Sequence, residues 1–153
     1  MQESALTIAE LKSVAIEYLS RRDHSVRELQ DKLLHKGGQF DDVQAVISWC
    51  QQQNYQSEER FCQLLVRTKM HKGYGPVWIS QAARQHGLAQ ELIKNALQDD
   101  SIDWFALAKM QYQKKFGDAP WATYPEKQKR MAYLLRRGFN SEHIREALQH
   151  SDS

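Results

Sequence analysis

The apolar residues of this chain recur at intervals of three and four positions. Leu11, Val14, Ala15 and Tyr18 show this spacing early in the chain, and the stretch that begins at Phe61 repeats it. Such spacing places one apolar stripe along an α-helix, whereas a half-buried strand needs strict alternation of apolar and polar residues. No segment of the sequence alternates in that way, so the pattern predicts an all-α fold.

Residues that favour helix starts divide this pattern into nine predicted helices. A Ser or Thr with a Glu three residues later can form a capping box, because each side chain bonds the other residue's backbone N–H. Thr7, Ser25 and Thr123 each have such a Glu. The predicted helices cover residues 8–22, 26–36, 41–54, 58–71, 76–86, 89–98, 103–116, 125–137 and 141–149.

A short motif that ends in glycine recurs along the chain. HisLysGly ends at Gly37, GlnHisGly at Gly87 and ArgArgGly at Gly138, so these glycines are 50 and 51 residues apart. The ten residues from Leu88 also align almost position by position with the ten from Phe139. A period of this length is typical of helical repeat proteins, whose units bury their apolar faces by stacking. We therefore predict three tandem three-helix repeats stacked into an elongated, curved body. The predicted repeats cover residues 8–54, 57–98 and 101–150.

The composition fits a small folded protein of 153 residues, of which 41% are hydrophobic and 26% are charged. No apolar run approaches the roughly 20 residues that span a bilayer, and the first residues carry acids where a signal peptide carries positive charge. We therefore expect a cytoplasmic protein. Cys50 and Cys62 are the two cysteines of the sequence, and isolated thiols of this kind are typical of a core rather than of a disulfide framework.

Positive charge is concentrated in two blocks, although the formal net charge is only +2. Residues 60–87 contain five Lys and Arg and no acid, and residues 109–137 contain eight Lys and Arg against two acids. Blocks of this kind can form surfaces that meet a polyanion or an acidic protein. Ordinary solvated helix faces explain them equally well.

The sequence lacks the motifs of several large enzyme classes. It contains no GxxxxGK[ST] phosphate loop, no GxSxG elbow and no HExxH zinc motif. The six histidines are not spaced as metal ligands. We therefore expect a binding protein that is not an enzyme and that carries no metal or cofactor.

The first candidate surface is a tight turn in the first basic block. Gly73 and Gly75 flank Tyr74, and Pro76 can open the following helix. Glycines let the backbone turn sharply and leave amides beside a helix N-terminus, where a phosphate or carboxylate could bind. The alternative is that the glycines only form the turn while Tyr74 packs on the core. The basic residues before the turn are Arg67, Lys69 and Lys72.

The second candidate surface combines basic and aromatic residues of the second block. Interleaved aromatic rings can stack bases in single-strand binders, but their helical spacing here favours core packing for most of them, Phe116 and Tyr133 in particular. We expect the charges to be exposed in either case, and we expect Trp78 in the core. The basic residues are Lys114, Lys115, Lys127, Lys129, Arg130, Arg136 and Arg137, and the interleaved aromatic residues are Tyr112, Phe116, Trp121 and Tyr124.

Five segments, in a fixed order along the chain, carry a family resemblance. They are LeuSerArgArgAspHisSerValArgGluLeuGlnAspLysLeuLeuHisLysGly at 19–37, ValIleSerTrpCys at 46–50, HisLysGlyTyrGlyPro at 71–76, IleAspTrpPheAlaLeuAla at 102–108 and LysLysPheGly at 114–117. Together they resemble the RecX family of recombination regulators, over residues 12–149. The resemblance implies tandem three-helix repeats and binding to the nucleoprotein filament of the RecA recombinase. It also implies inhibition of that filament's ATP hydrolysis, strand exchange and stimulation of repressor self-cleavage.

The resemblance assigns few individual residues. It maps the family's turn onto residues 72–76 and its upstream basic positions onto Arg67 and Lys69. Family members usually have a bulky aliphatic residue and a lysine where this chain has Ala83 and His86. We expect a monomer that binds the filament on DNA through both basic blocks. The competing hypothesis is a direct single-stranded or duplex DNA-binding protein that competes with the recombinase for DNA.

Overall fold

The computed structural model describes residues 5–149, and within this range the chain forms nine α-helices and no strand. The helices are α1 (Ile8–Arg21), α2 (Val26–His35), α3 (Phe40–Gln52), α4 (Glu58–His71), α5 (Pro76–Gln85), α6 (Gln90–Leu97), α7 (Trp104–Phe116), α8 (Tyr124–Arg136) and α9 (Ser141–Gln149). Each begins and ends within two residues of its predicted bounds, so the all-helical prediction is confirmed. The last residue of the predicted third repeat, residue 150, lies outside the described residues.

Two of the three predicted capping boxes form completely. The Thr7 side chain accepts from the Glu10 N–H, and the Glu10 carboxylate accepts from the Thr7 N–H. Ser25 makes the same reciprocal pair with the glutamate three residues later. Thr123 accepts from the Glu126 N–H, but the Glu126 carboxylate is engaged by Arg130 on the next turn of α8. Local side-chain chemistry thus sets where these helices begin.

The repeated glycine ends the second helix of each predicted repeat. Gly37, Gly87 and Gly138 have φ angles of +107°, +75° and +99°, in the left-handed region that residues with a Cβ rarely adopt. After α8, the N–H of Gly138 donates to the Leu135 carbonyl, and the N–H of Phe139 donates to the Leu134 carbonyl. This pair of bonds is a Schellman motif. A glycine with positive φ thus follows the end of α2, α5 and α8.

The described chain divides into two compact units. The first comprises the described residues up to Leu64 together with Arg84–Leu92, and α1, α2 and α3 pack around its core. Burial raises the pKa of the Cys50 and Cys62 thiols, which are both free, as expected of core cysteines. The core residues are Leu11, Ala15, Leu29, Leu33, Val43, Val46, Ile47 and Cys50.

The second unit comprises Leu65–Ala83 and the described residues from Ile93 onwards, and it contains every candidate site residue. Helices α7, α8 and α9 pack around its core. Phe116 and Tyr133 pack against this core, which confirms the structural role predicted for them. The core residues are Ala108, Tyr112, Leu134, Phe139, Ile144, Ala147 and Leu148.

Among residues 5–149, no helix combines the length and the apolar composition that a membrane span requires.

Candidate partner-binding surfaces

The candidate site residues differ in how far they reach solvent. The exposed residues are Arg67, Lys72, Lys114, Lys115, Lys129 and Arg136. The half-buried residues are Lys69, Tyr74, Lys127 and Arg137, and the buried residues are Gly73, Gly75 and Arg130. Cations from both basic blocks therefore reach the surface of the second unit, while other members of the predicted set build its interior.

The turn between α4 and α5 requires glycine at two positions for different reasons. Gly73 has a φ of +89°, and a Cβ there would collide with the Gln111 side chain. Gly75 does not have a positive φ, so its backbone conformation alone does not require glycine. A Cβ on Gly75 would lie 2.6 Å from the carbonyl carbon and oxygen of Gly138. Close approach of two backbone segments therefore excludes larger residues at position 75.

The amides at this turn are already used within the protein. The Gly75 N–H donates to the Arg137 carbonyl at 2.7 Å, and the Val77 N–H donates to the Gly138 carbonyl at 2.9 Å. The Tyr74 N–H donates to the Lys69 carbonyl at 3.1 Å. The expectation that free amides here could bind a phosphate is therefore wrong. At the start of α5, the carbonyl oxygens of Arg137 and Gly138 accept the hydrogen bonds that an anion would otherwise accept.

Tyr74 belongs to a stack of aromatic rings and cations. Its ring lies parallel to the Trp78 ring, with centroids 3.8 Å apart and planes 12° apart. The Arg137 guanidinium lies 4.0 Å from the Tyr74 centroid, and the Lys69 Nζ lies 5.5 Å from the Trp78 centroid. Because Trp78 covers one face of Tyr74 and Arg137 the other, no face of this ring is left for a nucleobase. Trp78, predicted as a core residue, is half-buried and supports this stack.

Arg137 also bonds the backbone of the turn. Its Nε donates to the Gly73 carbonyl at 3.2 Å, and its Nη2 donates to the Lys72 carbonyl. A guanidinium that stacks on a ring and donates to two carbonyls has fewer donors left for a partner. Arg137 is therefore better described as the residue that positions the turn than as a free surface cation.

Arg130 is the clearest correction to the sequence prediction, which placed its charge on the surface. Only 5% of the residue is exposed. Its Nη1 donates to the Tyr112 hydroxyl at 2.8 Å and to the Ala119 carbonyl at 2.7 Å, and its Nε lies 3.3 Å from a Glu126 carboxylate oxygen. The hydrogen bond with Tyr112 is the main reason that the pKa of Arg130 is raised. The residue points inward because it lies one turn before Leu134, on the core-facing side of α8.

The remaining cations have few anionic partners. Within residues 5–149, the exposed cations named above have no carboxylate oxygen within 4.0 Å, since the cations of the five ion pairs in this range are Arg21, Arg22, Arg60, Lys109 and Arg130. The Lys115 Nζ lies 5.4 Å from the Tyr133 ring centroid and the Lys127 Nζ lies 5.1 Å from the Trp121 centroid, so each ammonium group lies over an aromatic ring. Unpaired surface cations create a positive field that attracts phosphates or carboxylates.

Sequence reasoning missed one surface of the second unit, an apolar groove between α8 and α9. The signal was present in α8, where Tyr124, Met131 and Leu135 are seven and four residues apart and so lie on one helix face.

His86 lies at a position where family members usually have lysine. It packs edge-on against Phe61 in the first unit, with ring centroids 4.9 Å apart.

Comparison with protein families finds three matches along the chain. The model of the RecX first three-helix domain matches residues 12–50, that of the second matches residues 57–97, and that of the third matches residues 101–148. The three-helix organisation proposed from the repeated glycine motif is thus also the organisation of this family.

Comparison with curated proteins and solved structures agrees with these matches. The chain is 38% identical to the regulatory protein RecX of Legionella pneumophila over 85% of this chain and 87% of that protein. It is 36% identical to that of Vibrio parahaemolyticus, over 92% of this chain and 91% of the relative. A crystal structure of RecX from Lactobacillus salivarius shares the fold, with a TM-score of 0.80, 20% identity and coverage of 95% of this chain and 96% of that one. The matched domains and the identity to these relatives show that the chain belongs to the RecX family of regulatory proteins.

Proposed function

We propose that this chain binds RecA recombinase filaments on DNA and inhibits their ATP hydrolysis, strand exchange and coprotease activities. Membership of a family of regulatory proteins supports the regulatory part of this proposal. In this role the chain acts in the cytoplasm as a monomer without a cofactor. It modulates homologous recombination, DNA repair and the SOS response.

The exposed cations of the second unit are the observation that carries this proposal. Lys72, Lys114, Lys115, Lys129 and Arg136 are exposed and, within the described part of the chain, have no carboxylate within 4.0 Å. A recombinase filament presents DNA phosphates as well as protein carboxylates, and both attract such a surface. Tyr74, Gly73 and Arg137 hold the turn that carries Lys72.

The alternative function is direct binding to single-stranded or duplex DNA in competition with the recombinase. The same unpaired cations favour it, because they suit phosphates without any need for a partner protein. Base stacking on Tyr74 does not contribute, since Trp78 and Arg137 cover that ring. Direct binding would therefore rest on phosphate contacts, and its affinity would fall steeply with increasing salt.

A titration with a bare-DNA control separates the two functions. ATP hydrolysis by RecA on single-stranded DNA is measured as this protein is added, and binding of the protein to the same labelled DNA without RecA is measured by fluorescence anisotropy. Loss of hydrolysis at protein concentrations too low to occupy bare DNA supports filament binding. Loss of hydrolysis that follows the occupancy of bare DNA, with the same salt dependence, supports competition for DNA instead.

A further inference from the structure

Helices α8 and α9 form the walls of an open groove of about 830 Å³ in the second unit. Met131 and Leu135 of α8 line it together with Ile144 and Leu148 of α9, and Trp121 also contributes to the lining. Ile144 and Leu148 are 4% exposed and belong to the core, so the floor of the groove is continuous with the hydrophobic core beneath it. This α8–α9 groove is therefore held by the packing of the fold itself.

The apolar surface of the groove exceeds what folding requires. Tyr124, Met131 and Leu135 are 65%, 41% and 64% exposed, and they are three of the nine large hydrophobic residues that are exposed within residues 5–149. The opposite side of α8 already supplies Leu134 and Arg130 to the interior. A helix with a second apolar face turned to solvent indicates an interaction site, because clustered exposed apolar side chains are uncommon on monomers.

The charged side chains that line the groove in the described part of the chain are positive. Among residues 5–149, the charged residues that line it are Lys127 and Arg145, and neither Asp nor Glu lines it. Neither cation has a carboxylate oxygen within 4.0 Å among the residues that the structure describes. An occupant that matches this surface has apolar side chains for the floor and negative charges for the rim. An aliphatic floor offers no hydrogen-bond donors to phosphates, so nucleic acid matches it poorly.

We propose that the α8–α9 groove binds an acidic amphipathic helix of a partner protein. The helix would place large apolar side chains at positions i, i+4 and i+7 on Met131, Leu135 and Leu148, and Asp or Glu beside Lys127 and Arg145. From Tyr124 to Leu135 the wall of the groove is about 16 Å long at 1.5 Å per residue, which accommodates roughly three helical turns. Lys127 was predicted above to contact the recombinase filament, and this proposal assigns it to the acidic helix instead. This inference does not depend on RecA binding.

Synthetic peptides of about 16 residues, or roughly four helical turns, provide the probes. The acidic probe carries Leu at i, i+4, i+7 and i+11 with Glu along both edges of that face. One control peptide has the same composition in shuffled order, and another has Lys in place of every Glu. By fluorescence anisotropy, we expect the acidic probe to bind with a Kd of about 1–100 µM and each control to bind at least roughly tenfold more weakly.

Variants of the protein connect this binding to the groove. Leu135→Gln should weaken the acidic probe about tenfold, because it removes an apolar contact from a site where 64% of the residue is exposed and the fold tolerates change. Lys127→Glu with Arg145→Glu should reverse the preference, so that the Lys peptide binds better than the acidic one. Lys129→Glu with Arg136→Glu makes the same change in charge on exposed residues that do not line the groove. This control should leave the Kd of the acidic probe within about twofold.

Several results would overturn the proposal. The first is equal binding of the acidic and shuffled peptides, or no binding of the acidic peptide by about 1 mM. A second is an unchanged Kd in the Leu135→Gln variant with its circular dichroism spectrum intact. A third is a wild-type dimer in sedimentation that Leu135→Gln dissociates, because a second copy would then occupy the groove. A fourth is displacement of the peptide by a single-stranded oligonucleotide, which would assign the groove to nucleic acid.

Discussion

The guanidinium of Arg137 lies 4.0 Å from the centre of the Tyr74 ring while its Nε donates to the carbonyl of Gly73, one residue earlier in the chain. One side chain thereby fixes both the ring and the backbone of the turn that follows α4. In the opposite direction, the Gly75 N–H donates to the carbonyl of Arg137 itself. The two segments are therefore joined by bonds in both directions, and each holds the other in position.

Replacement of Arg137 should therefore destabilise the protein. We expect Arg137→Ala to lower the free energy of unfolding by about 1–3 kcal/mol, because it removes the ring contact and leaves two carbonyls without their donor. Arg137→Lys should recover little of this loss, since an ammonium group cannot stack and donate in the same fork geometry. Urea unfolding measures both changes. Arg136→Ala, at the exposed neighbour, should change the free energy of unfolding by less than about 0.5 kcal/mol, and equal effects of the two alanine variants would contradict the assignment.

Gly75 and Gly37 should respond differently to alanine. Gly75→Ala places a Cβ 2.6 Å from the Gly138 backbone, and we expect overpacking of this kind to cost about 1–3 kcal/mol. Gly37→Ala meets nothing within 4 Å, so its cost is limited to a φ of +107°, about 1–2 kcal/mol. Unfolding by urea gives both free energies. The distinguishing measurement is the backbone amide spectrum of residues 137–139, which Gly75→Ala should shift and Gly37→Ala should not.

How far the sequence predicts this structure depends on how local the determining interaction is. Helix bounds were predicted to within two residues because caps such as Thr7 with Glu10, and stops such as Gly138, act within one helical turn. The reason for Gly75 could not be predicted, since the backbone that excludes a Cβ there belongs to Gly138, far along the chain. The prediction of free amides at the turn was wrong for the same reason, since the acceptors of two of them also lie far along the chain, at Arg137 and Gly138.

The exposure of the basic residues also depends on interactions that the sequence does not show. A run of Lys and Arg predicts charge but not which cation turns inward, and Arg130 turns inward because the Tyr112 hydroxyl and the Ala119 carbonyl lie beneath it. A heptad-style inspection of α8 could have found that position 130 shares a face with Leu134. The second apolar face at Met131 and Leu135 was equally visible in the sequence, but its exposure depends on how α9 packs.

Arg130 should therefore matter for stability. We expect Arg130→Ala to cost about 2–4 kcal/mol, because it removes three hydrogen bonds and leaves the hydroxyl of the buried Tyr112 without this partner. Thermal unfolding followed by circular dichroism measures the loss. Lys129→Ala, one residue earlier and exposed, is the matched control and should be nearly neutral. A surface role for Arg130 would instead leave thermal stability unchanged.

The exposed pair at the end of α7 tests the proposed function. Lys114→Glu with Lys115→Glu should raise the concentration of protein that halves RecA ATP hydrolysis by roughly tenfold at low salt, because it reverses the local field that attracts the filament. The same reversal at Lys36 and Lys94 lies outside both basic blocks and should have little effect. Equal effects of the two double variants would mean that net charge, rather than this surface, determines inhibition.

Two buried histidines should make stability depend on pH. His24 is 2% exposed, its Nδ1 lies 3.1 Å from the Arg22 carbonyl and its Nε2 lies 2.8 Å from the Lys32 Nζ. Burial lowers the pKa of His24 below its usual value of 6.5, and burial lowers the pKa of His143 in the same direction. The Lys32 ammonium can donate to the neutral ring but not to the protonated one, which carries a like charge.

The sign of the pH dependence follows from these directions. Well above pH 6.5 both histidines are neutral in the folded and unfolded chain, so their contribution to stability is complete. Below it the unfolded chain binds protons that the folded chain resists, and the free energy of unfolding should fall until the pH passes the folded pKa values. Urea unfolding between about pH 8 and pH 5 measures this loss, and imidazole proton NMR assigns it. A His24 resonance that titrates at or above 6.5 would contradict the buried, neutral ring.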